Sequence, residues 1–309
     1  MPFLVDLLKC GIVHVVAKIS SLFSRLESGL AFNDLVGFIP DEIRYLNRLE
    51  SVHLQFNRGL VGTIPSGLLQ LDHLVDLQLQ YCRLKGSIPD FTQMKDSLTV
   101  LGLGNNLMTG EIPPSLAELT KLEVLGLDDN SFFGSLETMR HMTRLRSLYI
   151  EDNSISGELS NELLNSWPEL EELDLSNCGI HSTLPSKLFA HPKLSVLDLH
   201  GNKFHGALPL QETINTELRF LALHNNQIGS TIPETISNLV ELGHLDISGN
   251  QFELPFPSSM GKMTNLRYLF AGNNPQFGAH EIPSFVGKLE ELREVSSGEY
   301  AIPYDKIQA

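Results

Sequence analysis

The chain has 309 residues, 42% hydrophobic and 19% charged, enough apolar material for a substantial core. Its 22 Lys and Arg stand against 37 Asp and Glu for a formal net charge of −15, and no basic run offers the footprint a phosphate backbone requires. Nucleic acid is therefore excluded as a partner class, and with no apolar stretch of roughly 18 residues no membrane span is expected.

In chain order, residues 1–28 come first. Leu4, Leu8, Ile12, Val15, Ile19, Phe23 and Leu26 recur there at helical spacing, an apolar stripe expected to seal the first coil of the repeat array. Asp6, Lys9 and Lys18 interrupt the stripe and no positive region precedes it, so it reads as structure rather than as a secretory leader. From residue 29 to residue 291 the chain is periodic. Leu98-Leu101-Leu103-Asn106, Leu122-Leu125-Leu127-Asn130, Leu194-Leu197-Leu199-Asn202 and Leu218-Leu221-Leu223-Asn226 share the pattern LxxLxLxxN. The final position falls at Asn33, Asn57, Cys82, Asn106, Asn130, Asn153, Cys178, Asn202, Asn226, Asn250 and Asn274, spaced 23 to 25 residues apart, which makes about eleven units.

Each unit has a physical reading. L-x-L alternates with period two, so it predicts a strand whose leucines face inward and a parallel sheet when units stack, with strands expected at Leu49–Leu54, Leu74–Leu79 and each later LxxLxL. The Asn amide can donate to and accept from the backbone of adjacent coils, a ladder in which Cys serves as a small buried weak donor. Cys82 and Cys178 lie four units apart, about 19 Å, so both are expected to be free and buried. The second half of each unit, as in Leu84-Lys85-Gly86-Ser87-Ile88-Pro89, predicts a positive-φ turn, a return to the core and then a short 3₁₀ or helical segment. At the far end Leu289, Leu292 and Val295 begin a further coil, and residues 292–309 are expected to close the C-terminal edge.

These motifs resemble the plant-type leucine-rich-repeat family, whose pattern LxxLxxLxLxxNxLxGxIPxxL is matched nearly whole by Leu98 to Leu116 and by Leu218 to Ile236. The resemblance implies an α/β solenoid with a curved parallel sheet on the concave side and short 3₁₀ or helical segments on the convex side. It also implies a receptor-like or enzyme-inhibitor-like recognition protein, although fold alone does not name a ligand. The paired-cysteine caps of secreted plant members are absent and so is any Asn-x-Ser/Thr sequon, so the compartment stays open between the extracellular or surface location of the family and a cytoplasmic one. Glu137 and Ser160 replace Pro, Ser182 and Ser230 replace Gly, and Arg58-Gly59 and Pro275-Gln276 mark insertions.

No GxSxG elbow, HExxH, Walker loop or dinucleotide fingerprint is present, and Ser259-Met260-Gly261-Lys262 is an SxxK on a convex segment rather than a nucleophile and base. No enzyme activity, cofactor or metal is expected. What remains is the face opposite the leucines, formed by the third, fifth, seventh and eighth positions of LxxLxLxxN. Over ten full units these carry Asp76, Asp128, Asp129, Glu151, Asp152, Glu172, Asp174, Asp198 and Asp246 and not one Lys or Arg. Phe32, Phe56 and Tyr81 share one column, and Phe220, Tyr268 and Phe270 lie toward the C-terminal end. His200 and His224 share the seventh column with Asp198 and His244 nearby, which raises a metal or pH-sensitive site and, as a remote alternative, a metal-dependent enzyme in the His200 and His224 region. The expected partner site is thus Asp128, Tyr149, Glu151, Asp152, Glu172, Asp174, Asp198, His200, Phe220, His224, His244 and Tyr268, presented to a protein or peptide with a basic surface. A secreted inhibitor of a cell-wall-degrading or other extracellular enzyme is the main alternative, and the oligomeric state is left open.

Overall fold

The computed structural model describes residues 30–210, 217–275 and 283–296, with the backbone of Ile302 and Pro303. The expected N-terminal cap, residues 1–28, lies outside the described residues, as do Gln276 and most of 292–309. The chain forms two compact units, Met1–Ser154 and Ile155–Ala309.

In the first unit the strands Ser51–His53, Asp76–Gln78, Val100–Gly102, Val124–Gly126 and Ser147–Tyr149 pair in parallel and in register, one per coil. In the second, Glu172–Asp174, Val196–Asp198, Phe220–Ala222, His244–Asp246, Tyr268–Phe270 and Glu294–Ser296 do the same. Each strand is three residues long, shorter than the six expected from LxxLxL. The physical reason is that backbone pairing runs on through single hydrogen bonds beyond the strand, such as Leu103 N–H to the Gly126 carbonyl at 2.7 Å, before the chain turns. At the C-terminal edge Ile302–Pro303 pairs antiparallel with Glu294–Ser296.

The repeat leucines form the core: Leu74, Leu77 and Leu79 are 0% exposed, as are Leu98, Leu101 and Leu103, while Leu49 at the first strand is half-buried. At about 1.5–3 kcal/mol for each such side chain, the repeat core is the main source of stability, and stacking rather than any one coil secures it. The asparagine ladder satisfies the polar groups this burial strands. Asn106 donates to the Leu103 and Leu79 carbonyls at 2.9 Å and accepts from Leu84 N–H at 3.0 Å, so one amide ties two coils. Asn57, Asn130, Asn153, Asn202, Asn226, Asn250 and Asn274 repeat the pattern. Cys82 does part of the same work, its thiol 3.4 Å from the Leu54 carbonyl, and both Cys82 and Cys178 are free and buried as expected.

Opposite these strands, Pro113, Pro185, Pro233 and Pro257 hold extended backbone just ahead of 3₁₀ segments at Pro114–Glu118, Ser186–Ala190, Glu234–Asn238 and Ser258–Lys262. Where Ser160 replaces Pro, its Oγ accepts from Leu163 N–H at 3.1 Å and the segment Asn161–Asn165 becomes an α-helix. Ser259 and Lys262 sit on a 3₁₀ segment with Met260 fully buried, and Ser259 Oγ donates to the Glu234 carbonyl at 2.8 Å, a packing arrangement.

Candidate partner-binding face

Register decides which side chains meet on the face away from the leucines. In the second unit Glu172, Val196, Phe220, His244 and Tyr268 stand side by side, and so do Asp174, Asp198, Ala222, Asp246 and Phe270. Neighbouring strands are about 4.8 Å apart, so Asp198 and Asp246 flank the small, buried Ala222 across about 10 Å.

The carboxylates of this row are built into the turns that follow the strands. Asp174 Oδ1 accepts from Ser176 N–H at 2.9 Å, Asp198 Oδ1 from His200 N–H at 3.0 Å, and Asp246 Oδ1 from Ser248 N–H at 3.0 Å and Ser248 Oγ at 2.6 Å. Asp198 and Asp246 side chains are only 16% exposed and Asp174 is half-buried, so these carboxylates are partly enclosed rather than freely solvated. Burial raises the Asp174 carboxyl above the usual range, with the Ser176 hydrogen bonds opposing it.

Next to this row two imidazoles share a column. His200 and His224 stack face to face, ring centroids 4.2 Å apart and planes 7° apart. His200 Nδ1 is 2.7 Å from Asp198 Oδ1 and His224 Nδ1 is 3.3 Å from Asp246 Oδ2. His244, one coil on, stacks on Phe220 at 4.4 Å and tilts against Tyr268 at 5.7 Å and Phe270 at 5.5 Å. Burial lowers the pKa of His224 and of His244, with Asp246 opposing in both cases. The structure therefore brings Asp174, Asp198, His200, Phe220, His224, His244 and Tyr268 into one patch, with Glu172 at its margin. Sequence reasoning left Asp246 and Phe270 out of the chosen set although both stand in its columns. Among the described residues no three His, Cys, Asp or Glu side chains converge as a metal ion would require.

The first unit presents a different surface. His53 Nε2 pairs with Asp76 Oδ2 at 2.7 Å, and the Gln55 and Gln78 amides bond at 3.1 Å. Gly102 and Gly126 leave the fifth column empty, and Asp128 leans across, so close that a Cβ on Gly104 would lie 2.0 Å from its Oδ1. Asp128 Oδ2 accepts from Asn105 at 2.7 Å; Tyr149 and Glu151 are half-buried and Asp152 is exposed. Phe32, Phe56 and Tyr81 stack on one another at 4.2 and 4.4 Å while staying 73%, 36% and 36% exposed. Their backbones are left-handed, φ 56°, 61° and 55°, which the sequence pattern did not reveal. The repeated Asn, Asp or Gly in the eighth position of later units was the available signal. Arg219 pairs with Glu217 at 3.5 Å and Arg267 with Glu291 at 3.9 Å. Among the described residues, no helix is long and apolar enough to cross a membrane.

Comparison with known proteins agrees with this architecture. The family described as "Leucine-rich repeat region" matches residues 175–305, and "Leucine Rich Repeat" matches 97–119 and 144–166. Among curated proteins none matches the chain. Of solved structures, a TDR receptor is 24% identical over 94% of this chain and 54% of its own, with a TM-score of 0.80. The Arabidopsis receptor kinase HAESA, solved with the peptide hormone IDA and the co-receptor SERK1, is 26% identical over 91% of this chain and 50% of its own, TM-score 0.72. A plant ice-binding protein is 25% identical over 75% of this chain and 74% of its own, TM-score 0.66. The chain spans about half the length of the two receptors. With the repeat pattern, the asparagine ladder and these matches together, the chain is a leucine-rich-repeat protein of the plant type.

Proposed function

We propose that the chain is a recognition scaffold rather than an enzyme, and that it holds a protein or peptide segment with basic residues against the strand face opposite the leucines. The observation that carries this is the row Asp174, Asp198 and Asp246, joined by Glu172 and bordered by Phe220, His244, Tyr268 and Phe270. Carboxylates fixed by their own turns lose little freedom when a cation arrives, and aromatic side chains supply rigid contact area beside them. The receptor kinase solved with a peptide hormone and a co-receptor supports peptide or protein as the partner class, and a location outside the cell or at its surface.

A hexa-arginine peptide tests this by titration calorimetry at low and at physiological ionic strength, with hexa-glutamate as control. Asp174→Asn and Asp198→Asn keep an oxygen for the Ser176 and His200 N–H groups while removing the charges, so folding should survive. Together they should weaken hexa-arginine about tenfold and flatten its salt dependence. Binding indifferent to both substitutions and to salt would move the site off this face.

A further inference from the structure

We propose that the His200–His224 stack, with His244 on the other side of the Asp246 column, gates this face by pH: with neutral imidazoles the neighbouring carboxylates hold a cationic segment, and protons taken up by the histidines on acidification release it. The inference rests on the acidic-face reading above and adds its regulation.

The geometry begins with two imidazoles in face contact. At 4.2 Å and 7° one proton on the pair is tolerated, but two would set like charges against each other across the stack. The surroundings fix the orientation of the His200 ring. Its Nδ1 faces Asp198 Oδ1 at 2.7 Å and its Nε2 lies 3.3 Å from the Asn177 amide nitrogen. A Nδ1–H tautomer donates to the carboxylate, and the Asn177 amide can turn its nitrogen to a bare Nε2 or its oxygen to a protonated one. His224 stands beside Asp246, and His244 is enclosed by Phe220, Tyr268 and Phe270.

The charged and titratable groups facing these histidines come from several coils. Asp174 and Asp198 act on His200; Asp198, Asp246 and His200 act on His224; Asp198, Asp246 and His224 act on His244. With the rings neutral, the carboxylates of Asp174, Asp198 and Asp246 are left for a cationic segment to meet. Each proton taken up cancels one of those charges from within, and the attraction for an external cation falls accordingly. Burial, which lowers His224 and His244, keeps them neutral at neutral pH and delays their protonation into the acid range.

The experiment uses the whole chain and hexa-arginine at about pH 7.5 and pH 5.5, with circular dichroism confirming the fold at each. Because a histidine that must be neutral for the cation to bind takes up its proton on acidification, wild-type binding should weaken about tenfold at the lower pH. The double variant His200→Gln with His224→Gln should bind at both pH values with less than about a threefold difference. If that variant does not fold, His200→Gln alone should halve the loss on a logarithmic scale. Wild-type binding that is equal at the two pH values overturns the gate and leaves the acidic face standing. A pH dependence unchanged in the histidine variants also overturns the gate, assigning the titration to carboxylates such as Asp174. Hexa-arginine that fails to bind at either pH overturns the acidic-face reading and the gate with it.

Discussion

The eighth position of LxxLxLxxN has one backbone conformation in both units and two kinds of occupant. In the first unit Phe32, Phe56 and Tyr81 hold it, followed by Asn105, Asp129 and Asp152; in the second, Asn177, Gly201, Asn225, Gly249 and Asn273 alternate. All lie at φ between 47° and 65°. The same cause recurs within each unit: the N–H at this position donates to the carbonyl one residue earlier in the next coil, as from Phe56 to Gln80 at 2.9 Å and from Asn225 to Ser248 at 2.9 Å. Coil stacking therefore imposes the conformation and the side chain adapts. Asn and Gly adapt at little cost, while a bulky ring in the left-handed region costs about 1–2 kcal/mol, of which stacking on its neighbours at 4.2 and 4.4 Å returns about 0.5–1.5 kcal/mol. In the second unit the alternation has its own packing logic, because the Asn177 side chain occupies the space over Gly201 and Asn225 that over Gly249.

The comparison breaks most completely if the stacking itself is removed. Asn57→Leu in the first unit and Asn202→Leu in the second each leave buried carbonyls and one N–H unsatisfied, and each should cost about 3–5 kcal/mol by urea denaturation. Cys82→Val should cost less, about 1–2 kcal/mol, because the thiol offers only a weak donor at 3.4 Å, and Cys82→Ser less still. Should the valine variant lose as much as the two leucine variants, the ladder would not be what fixes the coils. Comparable to the valine variant is Gly201→Ala: its Cβ would fall 1.9 Å from Asn177 Oδ1, at φ 65°, for a loss of about 1–2 kcal/mol. Adding Asn177→Gly should recover part of that loss, since it clears the space but not the backbone strain. Phe56→Asn sharpens the contrast from the other side. It relieves the strained backbone and forfeits two stacking contacts, so the net change should stay within about 1 kcal/mol, and a larger loss would mean that the aromatic column stabilises the first coils in its own right.

Much of this was legible in the residues. Period-two leucines and the recurring Asn specify strand, core and ladder directly, because each answers a local demand for burial or for a buried hydrogen bond. The strand face was legible as a set of columns, and Asp174, Asp198, His200 and His224 were placed together from spacing alone. What spacing could not show is what a carboxylate does besides carry charge. Asp198 and Asp246 bond the N–H two residues on, a short-range choice that competes with pointing to water and is decided by the turn after the strand. Nor could the sequence show that Phe32, Phe56 and Tyr81 pack on one another, since a shared column fixes adjacency but not ring orientation.

The smallest expected effect separates the two units by pH. His191, His224 and His244 all lie in the second unit, and burial lowers the pKa of each below its ordinary value. His191 is the most enclosed, 5% exposed, with its Nε2 held 2.9 Å from the Trp167 carbonyl under the convex segment. A histidine whose folded pKa is depressed binds fewer protons folded than unfolded. Its contribution to stability is thus whole above the unfolded value of about 6.5 and declines as pH falls through it toward the folded value. Asp174, raised by burial, works in the opposite direction, its ionisation penalty being relieved only at lower pH. Amide hydrogen exchange of Leu173, Leu197 and Leu221, corrected for the intrinsic pH dependence of exchange, should therefore show less protection near pH 5.5 than near pH 7.5. Leu77, Leu101 and Leu125 in the first unit should change less over the same range. Replacing His191 by Gln, which can still donate toward the Trp167 carbonyl, should remove part of the difference; if the pH response of the second unit survives that change together with His224→Gln and His244→Gln, buried histidines are not its source.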